Sequence, residues 1–124
     1  MAAITSVRPS LVTPVGEARI RRGEATEDIS AGQAVALDGA PSSSRFESAV
    51  GLATDETTAI GIALKDVAEG GVCEVVIDGE VGGYADLTPG DVLSVVTGVL
   101  NDTAPAGASL RTFVAWNATT GMIV

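Results

Sequence analysis

Turn signals punctuate this chain at roughly 8–12-residue spacing, which points to many short strands. They include the dipeptides Ala31-Gly32, Asp38-Gly39, Gly70-Gly71, Asp78-Gly79 and Pro89-Gly90 and the surface loop APSSSR at 40–45, and the runs that they bound are rich in Val, Ala, Ile and Leu. Glycine at a turn accepts a positive φ, and the β-branched runs favour extended backbone. Neither a helical bundle nor a βαβ fold is compatible with breaks this frequent. The pattern predicts an all-β domain, a small β-barrel or a β-sandwich, preceded by an extended N-terminal arm.

The expected strands follow from the runs. Residues 18–21 form a short alternating piece, and residues 33–38 (QAVALD) end at Asp38-Gly39. Residues 46–53 and 58–64 have strand length, and residues 53–59 are the one place where a short helix fits. Residues 72–77 (VCEVVI) read as a central strand closed by a turn at Asp78-Gly79, with a further strand over 80–85. Residues 91–97 follow the Pro89-Gly90 turn, 99–109 read as a small-residue connection, and 112–116 with 122–124 close a hairpin across 118–121. An internal echo links DISAGQAV at 28–35 with DLTPGDVL at 86–93. Each has an acid, a branched apolar residue, a hydroxyl, then Gly and an apolar strand, as expected of equivalent corners of one fold.

At 124 residues the chain supports one core. Aromatic residues make up 3% of it, namely Phe46, Tyr84, Phe113 and Trp116, so a deep aromatic-lined pocket is not expected. Charge is unevenly spread. Residues 1–23 carry Arg8, Arg19, Arg21 and Arg22 against Glu17, whereas residues 24–124 set Arg45, Lys65 and Arg111 against 15 acids, giving +3 and −12. A body this acidic repels phosphate, which argues against direct nucleic-acid binding.

Histidine is absent, which removes Ser-His-Asp and Cys-His catalysis together with imidazole metal sites. The single Cys73 lies in the most apolar run, where a thiol packs as a small hydrophobe, and it cannot by itself form a disulfide or a thiolate metal site. Glu74, Asp78 and Glu80 fall at alternate positions, the arrangement of a solvated strand face rather than a catalytic pair. The glycine pairs match no phosphate-binding loop. No catalytic residue, cofactor or metal ligand is therefore expected. Residues 1–10 lack the basic start and apolar run of a secretory signal, and no run is long enough to span a bilayer. Synthesis in a cytoplasm, with no membrane partner, is the expectation.

Residues 1–17 differ from the rest. Pro9 and Pro14 disfavour helix, while Ile4, Val7, Leu11 and Val12 are too apolar for an ordinary linker. The division expected is an arm over 1–17 and a single β domain over 18–124. The expected partner-binding residues are Ile4, Val7, Arg8, Leu11, Val12, Arg19, Arg21 and Arg22.

The most specific string spans residues 61–95: Gly61-Ile62-Ala63-Leu64, Asp66, Ala68, Gly70-Gly71, the run 72–77, Gly79, Val81 and Pro89-Gly90-Asp91-Val92. With residues 31–39 (AGQAVALDG) it resembles the small head-decoration, or capsid-cement, proteins of tailed phages. Gln33 stands where those proteins more usually carry Asp. The resemblance implies a non-enzymatic protein on the exterior of a virion. Its partners would be the major capsid protein and neighbouring copies of itself, commonly as a homotrimer whose N-terminal arms clasp adjacent subunits. The competing expectation is a phage tail or surface-adhesion module that binds carbohydrate through exposed aromatics, for which Trp116 and Tyr84 are the candidates.

Overall fold

A computed structural model describes residues 12–42, 46–85, 87–101 and 112–124. Nine strands follow in chain order: β1 Pro14–Ala25, β2 Ala34–Leu37, β3 Ala49–Leu52, β4 Gly61–Ala63, β5 Val72–Gly82, β6 Val92–Val96, β7 Val99–Asn101, β8 Phe113–Ala115 and β9 Thr120–Ile123. No helix occurs among the described residues, and the chain is all-β. The choice between barrel and sandwich resolves into one nine-stranded sheet. Its first limb, β1-β3-β2-β4-β5, returns on itself because β5 also pairs with β1. A second limb continues from β5 through β9, β8 and β6 to β7. Every ladder is antiparallel except β1 with β3.

The long strand β5 joins the two limbs. One edge runs along β1, from Val72 opposite Glu24 to Val81 opposite Pro14. The other edge meets β4 at Val75 and Val76, then β9 from Gly79 to Gly82. The expected turn at Asp78-Gly79 does not form. Gly79 has φ +110 and a Cβ there would lie 2.9 Å from the Glu17 carbonyl, so it marks the register shift opposite residues 16–18 while the strand continues. The dipeptide is a bulge signal here, not a hairpin signal.

Two apolar clusters lie on the two sides of this sheet. Ala34, Ala36, Ile62, Val76, Val81, Leu93, Phe113 and Ile123 belong to one, and Val35, Ala63, Cys73 and Val75 to the other. Sequence neighbours therefore bury opposite faces, which is why residues 34–36, 61–64 and 75–76 are unbroken apolar runs rather than alternating ones. The enclosed space between Tyr84, Leu93 and Phe113 is about 10 Å³, room for one water at most.

Three further expectations are corrected. Residues 53–59 hold no helix: Asp55 bridges to Val96 and its carboxylate accepts the Thr57 N–H at 3.0 Å, a local turn that competes with helix. Residues 99–101, expected in a connection, are strand β7, turned back on β6 through Thr97-Gly98. The last hairpin forms, but β9 begins at Thr120, because the Asn117 side chain accepts the Thr119 and Thr120 N–H groups and closes the turn early.

A candidate docking edge on the first strand

Strand β1 has two edges with different fates. One is paired with β5 at Pro14 and Val15 and again from Arg19 to Glu24, with a register shift between, and the other meets β3 only at Glu24 and Ala25. Over residues 14–23 that second edge has no strand partner among the described residues. Residues 14–22 are also exposed on their faces, apart from half-buried Ala18. An edge this long is a template for another strand.

The edge carries three of the predicted binding residues. Arg22 pairs with Glu74 at 3.5 Å, and Lys65 reaches the other oxygen of the same carboxylate at 3.4 Å. Arg19 faces Asp78 across the ladder, and Arg21 faces Val75. Neither makes an ion pair among the described residues. Glu74 is thus not a free member of an acidic face: its single charge is shared between Arg22 and Lys65.

Beside Arg21 and Arg22 an open groove is lined by Ile20, Leu37, Phe46, Ile60 and Ile77. Ile20 is 41% exposed and Leu37 62%. These side chains form one contiguous apolar strip that is partly open to water. Sequence reasoning picked out the arginines but not this groove. Its lining comes from β1, β2, β5 and the segments before β3 and β4, which no local pattern places together.

The remaining arm calls divide. Val12 is buried at 5% exposure in the chain's own first apolar cluster, and the Thr13 carbonyl accepts the Gly82 N–H at 2.9 Å. Pro14 and Val15 already pair with Val81 and Glu80, so the β1 ladder takes in part of the stretch assigned to the arm. Ile4, Val7, Arg8 and Leu11 lie outside the described residues.

Elsewhere the polar chemistry is structural. Burial, with Glu74 adding repulsion, pushes the Cys73 thiol from 9.0 up to about 11, far from a reactive thiolate. Tyr84 is buried and donates its hydroxyl to the Gly32 carbonyl at 2.8 Å, and burial raises its pKa. Trp116 stands exposed without it. Two buried carboxylates escaped the sequence reading. Glu24 accepts the Ser42 N–H at 2.8 Å and also its hydroxyl, and Glu56 accepts the Val95 N–H at 3.3 Å. Among the described residues no group of three His, Cys, Asp or Glu side chains is arranged to hold a metal ion, and no helix is long and apolar enough to cross a membrane. No protein-family model and no curated protein matches the chain.

Proposed function

We propose that this chain is a non-enzymatic capsid decoration protein of a tailed phage, bound to the outer surface of the head and bridging capsid subunits. The observation that carries this reading is the exposed strand β1, an open edge bearing Arg19, Arg21 and Arg22 on an otherwise acidic body. The likeness of residues 61–95 to cement proteins supplies the class of partner. A shell is a repeated surface, so many weak exposed contacts sum to stable occupancy. The major capsid protein and sibling copies are the partners, a homotrimer is the unit, and the virion exterior is the location. Nucleic acid, membrane and cofactor have no part in it.

Carbohydrate recognition is less well supported, because buried Tyr84 leaves Trp116 without an aromatic companion.

The test is co-sedimentation with heads assembled from the capsid protein of the same genome. The full chain is expected to saturate the heads and raise their melting temperature. A chain lacking residues 1–11 keeps Val12 in the core, so loss of its occupancy would report on the arm rather than on folding. Absence of binding by the full chain to any form of the head refutes the reading.

A further inference from the structure

We infer that the open edge of β1 is the acceptor for an acidic, extended segment of a partner protein, which adds as a strand beside residues 14–23 and lays apolar side chains in the adjoining groove. This goes beyond the decoration reading and holds whichever protein supplies the segment.

Main-chain complementarity comes first. Strand β3 occupies this edge at Glu24 and Ala25 and pairs no further along β1, so an added strand meets backbone donors and acceptors that β5 already holds extended on either side of the register shift at residues 16–18. The conventional role of arginines on an edge is to repel other strands. Protection alone leaves the groove unexplained. Ile20 and Leu37 are exposed beside half-buried Phe46, Ile60 and Ile77, so apolar area stays in water next to an unpaired edge. A strand with alternating apolar residues covers both at once.

Charge selects the occupant. Arg19 and Arg21 have no ion pair among the described residues, on a protein whose net charge is −9. A segment with carboxylates opposite them is attracted and a basic one repelled. The chain's own residues 1–11 carry Arg8 and no acid, so they match the sign of the groove instead of complementing it.

The probe is a capped eight-residue peptide of alternating Glu and Val, labelled and titrated with the full chain by fluorescence polarisation. Saturable binding is expected, weakened by added salt and absent for the alternating Lys and Val peptide. N-methylation throughout the Glu-Val peptide removes its backbone donors and is expected to abolish binding. The exposed double variant Arg19→Gln, Arg21→Gln is expected to melt like the parent and bind about tenfold more weakly. Equal binding of both peptides, or unchanged binding by the N-methylated peptide or the double variant, overturns the inference. So does sedimentation showing that the chain self-associates and that the double variant does not, since the occupant is then a second copy.

Discussion

Ile29 and Val67 exchange both of their backbone hydrogen bonds, at 2.9 and 2.8 Å, in a bridge outside the named strands. The two segments around them are copies of one corner. In each, an aspartate precedes the bridging residue and a turn follows it, closed by Gln33 N–H to Ser30 O at 3.1 Å and by Gly71 N–H to Ala68 O at 2.9 Å. Gly32 and Gly70 take positive φ at the same place in each turn. The aspartates are exchanged as well: Asp28 accepts the Glu69 N–H at 3.0 Å and Asp66 accepts the Ala31 N–H at 2.9 Å. Each corner thus supplies the cap of the other.

The two caps differ in what their loss exposes. Ala31 is buried at 4% exposure, whereas Glu69 is exposed. Removing the Asp66 carboxylate leaves a buried N–H unpaired, and Asp66→Ala is expected to cost about 1–3 kcal/mol. Asp28→Ala frees an N–H that water can reach and is expected to cost less than about 1 kcal/mol. Urea unfolding of the two variants checks the order, and equal losses would show that the exchange is not what holds the corners.

Alkaline pH gives a second readout. The Cys73 thiol ionises near 9.0 when unfolded and near about 11 when folded, so between those values the folded state holds the proton more tightly. Its contribution is complete below pH 9 and is lost as pH rises toward 11, about 2–3 kcal/mol over the interval. Tyr84 acts in the same direction from about pH 10, the ordinary phenol value, upward. Unfolding free energy measured from pH 8 to 10.5 is expected to fall, with the earliest part of the decline missing in Cys73→Ala. A decline that survives both Cys73→Ala and Tyr84→Phe assigns the effect to other groups.

The corners explain what could be read before the fold was known. DISAG at 28–32 and DLTPG at 86–90 are visibly alike, and the turns at Gly32 and Gly90 do close with the same bond, Asp91 N–H to Thr88 O matching Gln33 N–H to Ser30 O at 3.1 Å. DVAEG at 66–70 is the third copy, hidden because alanine replaces the hydroxyl and glutamate the small residue. The turn tolerates both, since the shared features are the glycine conformation and the apolar residue three positions before it, Ile29 or Val67. Strand identity was legible for the same local reason. The long β1 was not: Gly16 and Gly23 interrupt its pattern, and its pairing with β5 joins residues about fifty to seventy positions apart, from Glu24 with Val72 to Pro14 with Val81. The groove depends on that long-range pairing and was invisible with it. The arginines on its rim were found only because charge is counted residue by residue.

Gly61 shows how a sequence motif can be right for a reason other than its appearance. Within Gly61-Ile62-Ala63-Leu64 it looks like a turn residue, yet it lies inside β4, and its constraint is space. A Cβ built there falls 2.1 Å from the Val76 carbonyl oxygen and 2.7 Å from Val75 Cγ1. The oxygen belongs to the backbone of β5, which is held along its other edge by β1, so it cannot yield without moving the strand that joins both limbs. Gly70, by contrast, has φ +85 but open space around its Cβ. Alanine there suffers only backbone strain, about 1–2 kcal/mol. Gly61→Ala is therefore expected to destabilise by about 3 kcal/mol or more, exceeding Gly70→Ala although only Gly70 carries the unusual backbone angle. Denaturant melts of the pair decide it, and a Gly61→Ala protein as stable as Gly70→Ala would mean that β4 and β5 do not approach this closely.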